Sequence, residues 1–259
     1  MENFKDWNAE LYLKFGRERT QPSIDLVSRI ESDNPKKIID IGCGPGNSTQ
    51  ILAARWPDSG ITGVDNSPAM IEKAKNDFPA QEWKLLDAAT DVIEGKFDIV
   101  FSNATIQWIP NHDKILKKFR SMLIERGVLA IQIPLFWDMP VGKALIKIAN
   151  ESRWTNLTSG ALELFTIHSA SFYYDILSEL FGQVEMWETD YIHILNSQHA
   201  ILEMIKGAGL RPFLDRLEKE EDQKAFSDST FEAIARDYPV QKNGKVLFPF
   251  KRLFSIVKS

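Results

Sequence analysis

Apolar residues in the first half of the chain fall in short runs that alternate with stretches of helical spacing. The stretch 114–123 repeats apolar residues every three or four positions, which predicts a helix. A second helix is expected over 47–55, with Asn47 or Ser48 near its N-terminus. The short apolar runs predict buried strands at 37–41, 60–64, 81–86, 97–102 and 127–133. Alternation of this kind is typical of an α/β protein with a doubly wound, mostly parallel sheet and helices on both faces.

The second half of the chain has a different pattern. Strands are predicted at 183–194 and 252–258, which brings the sheet to seven strands, and helices at 141–153, 169–180, 198–207 and 214–238. The helical stretch 196–248 separates the last two strands, so we interpret it as an insertion that caps the active site. Neither repeats nor low-complexity linkers interrupt the sequence, and we expect one domain over 1–259, with 1–30 as an N-terminal helical cover.

Composition excludes several classes of function. The net charge of −5 argues against general binding of nucleic acid, which usually needs a basic surface. No apolar stretch approaches the roughly 20 residues that cross a bilayer, and the N-terminus lacks the apolar core of a secretory signal. Cys43 is the only cysteine and the four histidines are scattered, so we expect a cytoplasmic protein with no disulfide and no metal.

The most informative motif follows the first predicted strand, where Asp40 leads into glycines 42, 44 and 46. Glycine-rich turns after a buried strand lie at the ligand-binding edge of open α/β sheets. A dinucleotide fingerprint, G-x-G-x-x-G, needs a third glycine at the position that Asn47 occupies. Asp40 would also repel a pyrophosphate and attract a positively charged group. A nicotinamide-dependent oxidoreductase is therefore disfavoured.

Two further aspartates, Asp65 and Asp87, end the second and third predicted strands. A single aspartate at a strand end is often only a turn former or a helix cap. Three of them at one sheet edge predict a ligand site, in which Asp65 accepts the hydroxyls of a ribose. Asp87 then suits an adenine amino group, and Asp40 faces a cationic or amino portion.

These motifs resemble those of the class I S-adenosylmethionine-dependent methyltransferases. The similar stretches are 39–46, 63–67, 86–88 and 102–104. The resemblance implies a Rossmann-like methyltransferase sheet, with S-adenosylmethionine as cofactor and S-adenosylhomocysteine as product. It implies that Gly42, Cys43 and Gly44 cradle the methionine portion, with Met70 near the adenine. The cofactor set implied is completed by Asp40, Asn47, Asp65, Asn66, Asp87, Ala88 and Asn103.

Further stretches across the whole chain are similar to the trans-aconitate methyltransferases. They include Asp6-Trp7-Asn8, Gln107-Trp108, Tyr173-Tyr174-Asp175 and Leu210-Arg211-Pro212. The resemblance implies transfer of a methyl group to a carboxylate of trans-aconitate or a related small polycarboxylate. A carboxylate with a pKa near 4 is already ionised at neutral pH, so no general base is required. Catalysis is then mostly positioning, for which we name Gln107 and Trp108.

Arginines suit the grip on the carboxylates that do not react, because a guanidinium binds a carboxylate in a bidentate manner. Three arginines are candidates. Arg19 shares a predicted helix face with Tyr12 and Phe15, and Arg211 follows the Gly207-Ala208-Gly209 segment. Arg252 is a weaker candidate. A surface arginine is the ordinary alternative for each. The predicted substrate site consists of Tyr12, Arg19, Trp108, Trp137, Tyr174 and Arg211.

Two alternatives keep the cofactor and change the function. One is methyl transfer to another small acceptor, such as a lipid acid or a natural product. The other is an S-adenosylmethionine-binding protein without catalysis. Arginines that line the ligand pocket would favour a polyanionic acceptor, whereas an apolar pocket would favour a lipid acid.

Overall fold

A seven-stranded sheet organises the computed structural model, which describes residues 16–259, the side chains of Arg17 and Glu18 excepted. Its strand order is β3-β2-β1-β4-β5-β7-β6. The strands are β1 (Lys37–Ile41), β2 (Gly60–Asp65), β3 (Glu82–Leu85), β4 (Phe97–Asn103), β5 (Leu123–Pro134), β6 (Gln183–Leu195) and β7 (Val246–Lys258). The predicted α/β class, with seven strands in a mostly parallel sheet, is confirmed.

The first five strands pair in parallel, in the order β3-β2-β1-β4-β5. The last strand, β7, runs antiparallel to β5, since Leu135 N–H donates to Lys251 O (3.0 Å) and Ser259 N–H donates to Gly127 O (2.8 Å). The strand order reverses between β1 and β4. The carboxyl ends of these two strands therefore form the switch point at which open α/β sheets bind ligands.

Helices connect the strands. Among the described residues they are α1 (Gly16–Arg29), α2 (Asn47–Arg55), α3 (Pro68–Asp77), α4 (His112–Met122), α5 (Pro140–Ala149), α6 (Ala170–Leu180), α7 (Gln198–Lys206), α8 (Arg211–Leu214) and α9 (Glu220–Asp237). Single 3₁₀ turns lie at Ile106–Trp108, Phe136–Asp138 and Leu162–Leu164. Within residues 16–259, no helix has both the length and the apolar character that crossing a membrane requires.

The strands of the first half are buried because their residues are apolar on both faces. Ile38, Ile39 and Ile41 in β1 and Phe101 in β4 have no solvent exposure. Near-continuous apolar runs are what a parallel sheet covered on both faces requires. The helix after β2 begins at Pro68, because Ser67 caps it by accepting from Met70 N–H (3.2 Å) and proline suits the first helical position.

Three element boundaries in the second half differ from the prediction. Of the helix expected over 214–238, the structure has α9, which begins only at Glu220, where three acidic residues complement the helix dipole, while Leu214 ends the separate helix α8. The helix expected over 141–153 ends at Ala149. The last strand begins at Val246, inside the predicted insertion, because Val246 and Phe248 alternate with exposed Leu247 and continue the strand pattern.

The described residues divide into two compact units. The first unit comprises 16–133, 168–188 and 253–259, and the second unit comprises 134–167 and 189–252. The second unit has its own aromatic core, in which the Phe226 ring lies 5.2 Å from that of Trp154 and 5.4 Å from that of Phe213. That 196–248 caps the active site, and that 1–30 forms a helical cover, remain predictions.

Candidate active site

The glycine turn after β1 lies in the first unit and takes up a conformation that favours glycine. Gly44 and Gly46 have φ angles of +53° and +96°, in the left-handed region. A Cβ atom at Gly46 would lie 2.8 Å from the Trp83 ring, whereas one at Gly44 would meet no heavy atom within 4 Å. Packing therefore fixes the turn at Gly46. At Gly44 the backbone is open to a ligand.

Asp40, the last polar residue of β1, lies behind this turn and has no solvent exposure. Its Oδ2 accepts hydrogen bonds from the hydroxyls of Ser48 (2.6 Å) and Thr49 (2.7 Å), in the first turn of α2. Burial raises the pKa of Asp40 to about 6, against the opposing effect of the two hydroxyl donors. The carboxylate thus ties β1 to α2, and at neutral pH it is ionised.

A pocket in the first unit lies beside the glycine turn. It is lined by Gly16, Arg19, Thr20, Ser23, Gly42, Cys43, Gly44, Pro45, Asn47, Ser48 and Asn103. The Oδ1 atom of Asn103 is buried without a hydrogen-bond partner, and so is that of Asp40, whose Oδ2 accepts from the lining residue Ser48. Buried polar atoms are nearly always satisfied, so these oxygens suit a ligand that carries N–H donors, such as an ammonium group.

Asp65, at the end of β2, braces the glycine turn. Its Oδ2 accepts from Gly44 N–H (2.9 Å), and its Oδ1 accepts from Ser67 N–H (2.9 Å). The side chain is half-buried, with part of it open to solvent. Asp65 therefore lies beside Gly44, and its contact with a ribose remains a prediction.

Asp87 follows β3 at the same edge of the sheet. The chain reaches it directly after Leu86, whose N–H donates to Asp65 O (3.0 Å). Asp87 Oδ1 accepts from Ala89 N–H (2.8 Å), which closes a tight turn, and the carboxylate remains half-buried. Asp40, Asp65 and Asp87 thus lie at the ends of β1, β2 and β3, which are neighbours in the sheet.

Comparison with known proteins agrees with this arrangement. A family model described as a methyltransferase domain matches residues 32–209. The trans-aconitate 2-methyltransferase of Rhodopseudomonas palustris (strain BisA53) is 42% identical over 97% of this chain and 98% of its own length. That of Escherichia coli O139:H28 (strain E24377A / ETEC) is 38% identical, over 98% of each chain. The chain belongs to the trans-aconitate 2-methyltransferase family. The predicted resemblance is confirmed, and the protein is a methyltransferase.

Solved structures of other methyltransferases share the fold. A putative methyltransferase from Bacillus halodurans C-125 matches with a TM-score of 0.59 and 12% identity, covering 92% of this chain and 98% of that one. Phosphoethanolamine N-methyltransferase 2 of Haemonchus contortus, solved in complex with S-adenosyl-L-methionine, matches with a TM-score of 0.59 and 17% identity, covering 96% of this chain and 56% of that one. At these identities the similarity concerns the fold.

Other predicted cofactor residues of this family member are placed as follows. Met70 is buried in α3, and Asn66 is exposed after β2. Cys43 packs with Ile71, Ala74 and Trp83, and burial raises the pKa of its thiol, which leaves it unsuited to act as a nucleophile. Asn47 lines the pocket, and Ala88 is buried in the turn after β3.

Of the predicted substrate residues, Arg19 lies in the same pocket as several predicted cofactor residues, because α1 brings it beside the glycine turn. Tyr12 lies outside the described residues. Gln107 and Trp108 form the 3₁₀ turn after β4, where Gln107 is buried and its Nε2 donates to Ala104 O (2.6 Å). Trp108 is half-buried.

The remaining substrate candidates are dispersed. Trp137 and Arg211 belong to the second unit. The Trp137 indole donates to Phe165 O (3.0 Å), and Arg211 forms an ion pair with Asp215 (3.1 Å). Tyr174 is 53% exposed on α6. Their grouping around one substrate remains a prediction.

Sequence reasoning missed several pocket residues. Ser48 and Thr49 hold Asp40, and Thr20 and Ser23 line the pocket from α1. The pair Ser48-Thr49 carried a usable signal, since two hydroxyls in the first turn of a helix lie close to the end of the preceding strand. Thr105 carried none. Its hydroxyl donates to Gly42 O (3.2 Å) across 63 residues of sequence.

No metal site accompanies the pocket in residues 16–259, where no three His, Cys, Asp or Glu side chains converge as ligands.

Proposed function

We propose that this chain transfers the methyl group of S-adenosylmethionine to a carboxylate of trans-aconitate or of a related small polycarboxylate. The observation that carries the proposal is the 42% identity to a trans-aconitate 2-methyltransferase over 97% of the chain. Similarity of this extent covers the elements that hold the acceptor as well as those that hold the methyl donor.

The residues of the pocket fit S-adenosylmethionine. The unpartnered oxygens of Asp40 and Asn103 match its ammonium group, and the ionised Asp40 adds a favourable negative charge. The open face of Gly44 allows a close backbone approach. Asp65 and Asp87 would hold the ribose and the adenine. When bound, the cofactor supplies a methyl group made electrophilic by the sulfonium.

The acceptor needs no proton transfer, because carboxylic acids of pKa near 4 are ionised at neutral pH. The chain's task is to orient the carboxylate and to exclude water. A reaction in which an anion and a cation become two neutral products is favoured by a dry site. A general base is not required, and His112, which follows the turn after β4 in sequence, is engaged in other contacts. Its ring nitrogens lie within hydrogen-bond distance of Tyr173 Oη and Ile106 O (each 2.8 Å).

Arg19 supports a polyanionic acceptor, since it is one of the residues that line the pocket in which the methyl donor would sit. A guanidinium can bind a carboxylate that does not react and offset the loss of its hydration. Arg211 is a second candidate for such a contact, and its pairing with Asp215 would then rearrange.

The proposal is tested by incubating the protein with methyl-labelled S-adenosylmethionine and a panel of di- and tricarboxylates. We expect base-labile label on trans-aconitate. Transfer only to a lipid acid or to another acceptor would replace the substrate assignment. Binding of S-adenosylhomocysteine without transfer to any acceptor would favour a non-catalytic binding protein.

The role of Arg19 is tested by Arg19→Met, with Arg29→Met as the matched control at an exposed position of the same helix. We expect KM for trans-aconitate to rise about tenfold, as for the loss of one charged hydrogen bond, and the Kd of S-adenosylhomocysteine to stay constant. A raised Kd with unchanged KM would assign Arg19 to the carboxylate of the cofactor instead.

A cytoplasmic location forms part of the proposal. It is supported by the single, buried and unpaired Cys43.

A further inference from the structure

The turn that carries Asp87 and Ala88 is held from another element by a lysine. Lys118, on α4, directs its ammonium group at two main-chain carbonyls of the turn. Its Nζ donates to Ala88 O (2.7 Å) and to Asp91 O (2.6 Å). The lysine side chain thus spans from the helix after β4 to the loop after β3.

This turn has little else to hold it in place. It follows β3, a strand of four residues at the edge of the sheet. Hydrogen bonds also form within the turn, where Asp87 N–H donates to the Asp91 carboxylate (2.8 Å) and Asp91 N–H donates to Asp87 O (2.8 Å). Ala89, Thr90 and Asp91 are exposed, and Val92 is 80% exposed. Apart from the buried Ala88, apolar packing therefore contributes little to its position.

We propose that Lys118 is a positioning residue for the adenine end of the cofactor site. The inference rests on the proposed function, in which Asp87 and Ala88 hold the adenine edge. By fixing the two carbonyls, Lys118 sets the direction of the Ala88 peptide and of the Asp87 carboxylate. The ammonium group acts through the turn and makes no contact with the methyl group or the acceptor.

The consequence is specific to the adenine amino group. A carboxylate held in place accepts from the 6-amino group of adenine, whereas hypoxanthine presents an oxygen there and would be repelled. Lys118 should therefore set the preference for S-adenosylhomocysteine over S-inosylhomocysteine. A residue that only stabilised the fold would change the affinity for both ligands equally.

The test compares Lys118→Met with Lys117→Met, an exposed lysine on the same helix. We expect Lys118→Met to raise the Kd of S-adenosylhomocysteine about tenfold by calorimetry, as for the loss of a charged hydrogen bond, and to reduce the preference over S-inosylhomocysteine by a similar factor. Lys117→Met should change neither, and kcat at saturating cofactor should be retained by both. Lys118→Arg, which keeps a charged donor, should restore most of the preference.

An unchanged Kd, or an equal loss of affinity for both ligands, would overturn the inference. If the methionine variant does not fold, Lys118→Gln takes its place, because its neutral amide can still donate to one carbonyl. An unchanged ligand preference in Lys118→Gln would likewise contradict the inference. The failure of the wild-type protein to bind S-adenosylhomocysteine would instead overturn the proposed function.

Discussion

At the scale of single residues, Asp40 shows how this site combines a ligand requirement with a cost in stability. The carboxylate is fully buried and has one oxygen without a partner. Burial raises its pKa to about 6, from a usual value near 3.8. Because the folded state holds the proton more tightly than the unfolded state, ionising Asp40 destabilises the fold. At neutral pH Asp40 nevertheless carries its negative charge, at the place where a cationic group of the ligand would bind.

The first prediction follows from this pKa. Well below pH 3.8 Asp40 is protonated in both the folded and the unfolded protein. Between pH 3.8 and about 6 it is ionised mainly in the unfolded protein, so the free energy of unfolding falls as the pH rises. Above that window the destabilisation of the folded state is constant at about 3 kcal/mol, because each unit of difference between the two pKa values corresponds to about 1.4 kcal/mol. Asp40→Asn lacks this dependence. We expect its free energy of unfolding, minus that of the wild type, to rise by about 2.4 kcal/mol between pH 4 and pH 7.

Urea unfolding across this pH range measures the difference. The exposed Asp58, changed to Asn, is the control and should give a flat difference. A flat difference for Asp40→Asn as well would mean that Asp40 titrates normally in the folded protein.

At the scale of elements, the sequence was sufficient wherever a local pattern decided the structure. The strand at Lys37–Ile41 and the helix at Asn47–Arg55 have the predicted bounds, because the apolar run ends in a glycine turn and the helix begins directly after it. The second half was harder to predict. Between α8 and α9 the chain makes contacts such as that of Gln223, whose Nε2 donates to Leu217 O (2.7 Å), and no local sequence pattern indicates such a contact.

The same distinction applies to the candidate site. Asp40, Asp65 and Asp87 could be found from the sequence because parallel strands bring their carboxyl ends to one edge. Lys118 and Thr105 could not, since each acts on a loop remote in sequence. Side chains that support a binding loop from another element leave no periodic signal.

The glycine turn gives a second prediction, from two glycines with different surroundings. An alanine at either position meets the cost of a left-handed backbone, about 1–2 kcal/mol. At Gly46 the new Cβ also clashes with Trp83 and Phe78, at 2.8 and 2.9 Å, so we expect Gly46→Ala to be the more destabilising by about 1–3 kcal/mol. At Gly44 the Cβ meets no protein atom and points into the space of the proposed ligand.

We therefore expect Gly44→Ala to fold and to lose most of its affinity for S-adenosylhomocysteine. Thermal unfolding and titration calorimetry on both variants measure the two effects separately. Wild-type affinity in a folded Gly44→Ala variant would show that the ligand does not approach this backbone.

A third prediction concerns the link between α4 and α6. His112 and Tyr173 are each 1% exposed, and the phenol hydroxyl lies 2.8 Å from His112 Nδ1, while the His168 N–H donates to the same hydroxyl (3.3 Å). Burial lowers the pKa of His112, so the neutral ring donates from Nε2 to Ile106 O (2.8 Å) and accepts at Nδ1. Tyr173→Phe leaves two buried groups unpaired.

We expect Tyr173→Phe to lower the free energy of unfolding at pH 7.5 by about 1–3 kcal/mol. The neighbouring Tyr174, which is 53% exposed, provides the matched control, and Tyr174→Phe should have no effect on stability. Equal effects of the two changes in chemical denaturation would argue against this hydrogen-bonded link.

At the scale of the whole molecule, the question is whether the two compact units unfold together. The division falls inside β6, between Glu188 and Thr189, and inside β7, between Arg252 and Leu253. Neither unit is a continuous piece of chain, and strands continue from one into the other. Domains that unfold separately are usually joined by exposed linkers that few contacts cross. A single domain over 1–259 remains a prediction, which unfolding measurements can test.

The last prediction is therefore a single calorimetric transition, with equal calorimetric and van't Hoff enthalpies. S-adenosylhomocysteine at about 100 times its Kd should stabilise the folded state by about 2.7 kcal/mol. For a chain of 259 residues this shifts the whole transition by roughly 5–10 °C. Asp65→Ala, which removes the proposed ribose contact, should reduce the shift. Two transitions, of which S-adenosylhomocysteine moves only one, would show that the residues of the glycine turn and those of 134–167 and 189–252 fold as separate domains.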